Sequence, residues 1–83
     1  MDTLDGVRML LKAALQLGDR ADHLTEKSPL LGAIPELDSM AVVTVITLME
    51  EQFDIKVEDD EISADTFATV GTLSSFLANK LAQ

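Results

Sequence analysis

The residues best suited to chemistry stand together in one short stretch, Leu37-Asp38-Ser39-Met40. Asp38 is a strong helix N-cap, which puts Ser39 at the first helical position. Free backbone N–H groups and the positive end of the helix dipole favour a phosphate at such a terminus, so a serine there is well placed to carry a phosphodiester. The same dipeptide is also ordinary capping chemistry, and alone it does not separate the two uses. A second concentration of ionisable groups follows. Seven acids (Glu50, Glu51, Asp54, Glu58, Asp59, Asp60, Glu61) surround the single Lys56, a local net charge of −6. Such a run is either a solvated turn or a docking face for a basic partner.

Other chemistries fall away. The 83 residues contain no Cys and one His, His23, so there is no disulfide framework, no thiolate nucleophile and no multi-His or Cys-based metal site. A serine-hydrolase triad would need His23 and a Gly-x-Ser-x-Gly elbow, and no such elbow exists. A calcium loop starting at Asp54 would have Lys56 at its third position and no Gly at its sixth. The four glycines are too dispersed to cradle a phosphate. No acid–base or nucleophile–base pair can be named, so the chain is not expected to be an enzyme. Its net charge of −9, with scattered bases, opposes nucleic-acid binding and favours basic partner surfaces. Neither a signal-like start nor an apolar run of the ~18 residues needed to span a bilayer is visible, so a cytoplasmic protein is expected; a monomer is expected as well.

The elements that must position Ser39 follow from hydrophobic periodicity. Leu4, Val7, Leu11, Ala14 and Leu15, widened by Leu10, predict a first helix over about 3–17, with Asp2 as N-cap and Gly18 at the left-handed position that ends it. Residues 18–37 hold Pro29, Pro35 and Gly32 and read as a long loop anchored by Leu24, Leu30, Leu31 and Ile34. From 42 to 47 every residue is β-branched, which by propensity alone suggests a strand. Asp38 as cap, the length of the segment and its finish in Leu48-Met49-Glu50-Glu51-Gln52 predict a helix over about 39–53 instead. Val42, Ile46, Met49 and Phe53 share its expected core face. Met40, Ala41, Val43, Thr44 and Thr47 lie elsewhere, a surplus of apolar surface available to a partner. A short helix over about 59–64 and a last helix over about 69–82, with Thr69 as cap and Val70, Leu73, Phe76, Leu77 and Leu81 inward, complete one all-α domain over 1–83. It has three principal helices and one short one.

Taken together, Leu31-Gly32, Leu37-Asp38-Ser39-Met40, Met49-Glu50-Glu51-Gln52-Phe53 and Thr66-Phe67-Ala68-Thr69-Val70 resemble the acyl carrier protein family over nearly the whole chain. The resemblance implies a four-helix bundle with 4′-phosphopantetheine on Ser39. A phosphopantetheinyl transferase would install it from coenzyme A with Mg²⁺, the Ser39 hydroxyl attacking the β-phosphate. The arm would hold an acyl or related group as a thioester for fatty acid, polyketide or related biosynthesis. Acyl-loading and acyl-transfer enzymes with basic patches would dock on the second helix, at Met40, Val43, Thr44, Glu50 and Glu51. Two features depart from the family pattern. Met40 stands where Leu is common, and Ala41 and Thr44 occupy places where carriers of fatty acid synthesis have acids. The Ile34-to-Met40 stretch is similar to free-standing carriers of bacterial exopolysaccharide and exosortase-type systems. A reading from a different class is a small acidic adaptor that binds a protein through its second helix without any prosthetic group.

Overall fold

The computed structural model describes residues 3–34 and 37–82. Asp2, expected to cap the first helix, and Pro35 and Glu36 of the long loop lie outside them. Three α-helices form the frame: α1 (Thr3–Leu15), α2 (Ser39–Phe53) and α3 (Val70–Leu81). Short 3₁₀ turns occupy Gly18–His23, Asp59–Glu61 and Ala64–Phe67. The architecture is the expected all-α one, with no strand among the described residues and a single isolated bridge between Pro29 and Thr69.

Helix α1 packs against both α2 and α3 and contributes Val7, Leu10, Leu11 and Leu15 to the core. It stops at Leu15, two residues before the expected end. Gln16, not Gly18, takes the left-handed terminating position, at φ 54°, and the Leu17 N–H reaches back to the Lys12 carbonyl at 3.3 Å. Reversing the chain there returns Leu17 to the core while the polar Gln16 stays in water. Gly18, also left-handed at φ 60°, then starts a 3₁₀ turn within what the periodicity predicts as loop.

Backbone hydrogen bonds sew the long connection to the entry of α3. Leu30 N–H donates to the Ala68 carbonyl, Leu31 N–H to Phe67, Val70 N–H to Ser28 and Gly71 N–H to Glu26, all at 2.8–3.0 Å. The last approach requires a glycine, because a Cβ on residue 71 would stand 2.8 Å from the Glu26 carbonyl oxygen. Leu30 is buried, whereas Leu31, expected to anchor the loop, is exposed. The chain turns at once after Leu30, whose carbonyl accepts the Ala33 and Ile34 N–H groups at 3.1 Å, and Leu31 lies in that turn, facing out.

Helix α2 forms despite its β-branched run. Its fully buried residues are Val45 and Met49, with Val42, Ile46, Leu48 and Phe53 half-buried around them. Val45 therefore takes a central place in the core that the three-four pattern through Val42 and Ile46 does not give it. The chain leaves α2 through Asp54 in a left-handed conformation, φ 53°, which a short polar side chain tolerates.

The single short helix expected over 59–64 is instead two 3₁₀ turns. Glu61 folds its carboxylate back onto the Glu58 N–H at 2.8 Å, closing the first turn. Ser63 and Thr66 then start a second turn through a reciprocal capping box, burying Phe67. Thr69 and Thr72 repeat this arrangement at the start of α3, which buries Val70, Leu73 and Leu77 but leaves Leu81, at its last turn, exposed.

Candidate functional site

At the start of α2 the Asp38 carboxylate accepts the Ala41 N–H at 2.8 Å, and the Asp38 carbonyl accepts the Val42 N–H at 3.0 Å. Ser39 is the first residue of the helix, and its side chain is exposed. Its hydroxyl bonds to no described residue, so an oxygen nucleophile stands in water at the positive end of a 15-residue helix.

Away from the core, α2 presents Met40, Val43, Thr44, Thr47 and Glu51, residues that fall within about 100° of arc on a helical projection. The Thr44 and Thr47 hydroxyls donate to the Met40 and Val43 carbonyls, at 3.1 and 2.9 Å. Met40 and Val43 are 78% and 62% exposed. Next to the half-buried Val42, on the core side of α2, lies a hollow of about 290 Å³ whose other lining residues are Leu31, Ile62, Ser63, Ala64 and Phe67. The exposed Leu31 thus finds its place at the rim of an apolar recess.

The two acids near the end of α2 differ. Glu51 is exposed and makes no ion pair among the described residues. Glu50 is half-buried, and its carboxylate accepts the Val57 N–H at 2.9 Å. It braces the connector that follows the helix, so the structure separates a pair that the sequence presents as equivalent. Further on, Glu61 is engaged on two sides. The Glu58 N–H and then the Lys80 ammonium, at 2.9 and 3.1 Å, hold its carboxyl below the usual carboxylate range. Lys56 meets Glu58 only at 3.7 Å with both side chains exposed, a pair of little energetic weight. His23 is exposed at the end of the first 3₁₀ turn. Among the described residues no group of three His, Cys, Asp or Glu side chains is arranged to hold a metal, and no helix is long and apolar enough to cross a membrane.

Residues 5–77 match the family model described as a phosphopantetheine attachment site. The chain belongs to the acyl carrier protein family. An acyl carrier protein of Sulfurovum sp. (strain NBC37-1) is 39% identical over 67 residues, 77% of this chain and 81% of that protein. The solution NMR structure of a holo acyl carrier protein from Nitrosomonas europaea is 57% identical, covers 100% of both chains and superposes with a TM-score of 0.92. This carrier therefore has phosphopantetheine as its prosthetic group, and members of its family are carriers, not catalysts.

Three features of the carrier's surface escape sequence reasoning. The recess needs Leu31 from the loop, Val42 from α2 and Phe67 from a 3₁₀ turn, which no local period brings together. Glu50 and Glu51 are adjacent and chemically alike, and only the position of Val57 distinguishes them. The Glu61–Lys80 pair joins residues 19 apart; an acid beside Ile62 and a base three residues after Leu77, both next to apolar core-side positions, are the faint signal for it.

Proposed function

We propose that Ser39 is the attachment point of the 4′-phosphopantetheine arm, and that the protein holds an acyl or related group there as a thioester and presents it to partner enzymes. One observation carries this reading: within the residues that match an attachment-site family, Ser39 is an exposed hydroxyl at the first position of a long helix. The local chemistry fits the group. Asp38 spends its carboxylate on the Ala41 N–H and so does not occupy the space before Ser39. The Ser39 and Met40 N–H groups have no acceptor among the described residues and stand ready for phosphate oxygens. When bound, the arm supplies the thiol that a chain with no Cys lacks.

The remaining residues hold and present. Val45 and Met49 lock α2 into the core, so the Ser39 oxygen keeps one position relative to the exposed face beside it. The recess formed by Leu31, Val42, Ile62 and Phe67 offers partial apolar cover to an aliphatic group. Partners are a phosphopantetheinyl transferase and acyl-loading and acyl-transfer enzymes, whose basic surfaces are drawn to the acids that begin at Glu51. Intact-mass measurement after incubation with coenzyme A, Mg²⁺ and a promiscuous transferase tests the reading. A gain of one phosphopantetheine, absent in Ser39→Ala, supports it. No gain with several transferases leaves an acidic adaptor without a prosthetic group as the better description.

A further inference from the structure

We infer that Met40 is a peroxide-sensitive modification site, and that its conversion to the sulfoxide blocks attachment of the arm to Ser39 until the thioether is restored. This rests on Ser39 being the attachment point. The oxidant is hydrogen peroxide. The Met40 sulfur attacks one peroxide oxygen, the O–O bond breaks as the S–O bond forms, and the proton of the transferred oxygen leaves with the departing hydroxide as water. Sulfur is oxidised by an electron pair and the peroxide is reduced by the same pair.

Exposure selects the site. The chain has four methionines and no Cys, so before the arm is attached every sulfur in it is a thioether and no thiol of its own intercepts the oxidant. Met40 is 78% exposed and Met9 59%, whereas Met49 is fully buried, and oxidation follows exposure. Position supplies the consequence. Met40 directly follows Ser39, with Cα atoms about 3.8 Å apart across the peptide, so an enzyme that brings a phosphate to the Ser39 oxygen must also cover Met40. As a thioether, Met40 is a flexible apolar side chain that adapts to such a cover. As a sulfoxide it carries an acceptor oxygen that loses its water there. Neighbours further along the helix do not replace that water, because the Thr44 and Thr47 hydroxyls already donate to the Met40 and Val43 carbonyls. The Ala41 and Val42 N–H groups are likewise taken, by the Asp38 carboxylate and carbonyl. Among the described residues, the donors left at this end of α2 are the Ser39 hydroxyl and the Ser39 and Met40 N–H groups, the same atoms that loading uses. Left unpaired, or turned onto those donors, the sulfoxide oxygen opposes loading.

The test treats the full-length apo protein, the form a transferase takes, with graded hydrogen peroxide. Once the peroxide is removed with catalase, phosphopantetheine transfer from coenzyme A is measured at carrier concentrations well below KM. Among Met9, Met40 and Met49, peptide mass mapping should place the first added oxygen at Met40 and the next at Met9, with Met49 spared. Each rate is divided by that of the same protein before treatment. Wild type oxidised at Met40 should fall about tenfold, the scale of one polar group left unpaired at an interface. Met40→Leu, which keeps the other thioethers but has no sulfur beside Ser39, should stay within about twofold of its untreated rate. Methionine sulfoxide reductases A and B, one for each sulfoxide epimer, should restore wild type. Thermal melts of treated and untreated wild type should coincide, since Met40 lies outside the core. Full oxidation of Met40 without loss of rate, an equal loss in treated Met40→Leu, a loss that follows a fall in Tm, or oxidation of Met49 ahead of Met40 overturns the modification site. Wild type that acquires no phosphopantetheine before treatment, or Ser39→Ala that still does, overturns the attachment reading instead.

Discussion

Replacing Glu50 by Ala asks whether this acid is a brace or a docking charge. Its carboxylate accepts the Val57 N–H at 2.9 Å, and that N–H has no other acceptor among the described residues. A hydrogen bond to a charged acceptor contributes about 1.5–3 kcal/mol, and because both residues are half-buried the lower part of that range, about 1.5–2 kcal/mol, applies. Removing a negative charge from the last turn of α2 works the other way, relieving an unfavourable interaction with the helix dipole by about 0.3–0.5 kcal/mol. Glu51→Ala receives the same relief without losing a bond. The difference between the two variants isolates the brace at about 1.5 kcal/mol, or roughly 6–12 °C in Tm for a domain of this size. Thermal melts of the apo protein, checked by urea titration, measure it. Glu50→Gln, whose amide oxygen still accepts, should lie close to wild type. If Glu50→Ala and Glu51→Ala melt within about 2 °C of each other, the hydrogen bond contributes nothing and the assignment of Glu50 to the fold is wrong.

Four further outcomes are expected. Asp38→Ala removes the acceptor of the Ala41 N–H and should cost about 1 kcal/mol, read as a lower urea midpoint, while Asp38→Asn should retain most of it. Met49→Ala empties a fully buried position and should cost about 2–5 kcal/mol, a large share of the roughly 4–12 kcal/mol available to a chain this short; a loss below about 1 kcal/mol would mean the core closes over the gap. Gly71→Ala would ordinarily stabilise an exposed helix, but the new Cβ meets the Glu26 carbonyl oxygen at 2.8 Å, so the urea midpoint should fall; a rise would show that the loop yields freely. Glu61 has its carboxyl held below the usual range by the Glu58 N–H and Lys80, so its contribution is complete above the ordinary carboxylate pKa and is lost as pH falls through the depressed folded value. Stability of Glu61→Gln should accordingly fall less steeply on acidification than that of wild type, and parallel curves would count against the linkage.

The start of α2 is legible in the sequence because its determinants are local. Asp38 needs only the N–H three residues on, and that contact holds whatever packs around it. Thr69 and Thr72 at α3 are a second case of the same kind. The β-branched run misleads propensity because packing of Val45 and Met49 against α1 outweighs a few tenths of a kcal/mol per residue. Where α1 ends was less legible. Gly18 offered the usual left-handed position, but burying Leu17 moved the reversal to Gln16.

By itself, then, the sequence determined the chemistry-bearing end: a capped helix with an exposed serine first in line, no thiol of its own, and acids gathered after it. Those depend on residue identity and on neighbours within one turn. Only the tertiary structure decided which of several equivalent-looking side chains do what: Val45 in the core and Val43 in water, Leu30 buried and Leu31 at the rim of the recess, Glu50 bracing the chain and Glu51 free to meet a partner. In each pair the residue types are the same, so composition and propensity cannot separate them. The direction in which α1, α3 and the long loop lie around α2 makes that choice.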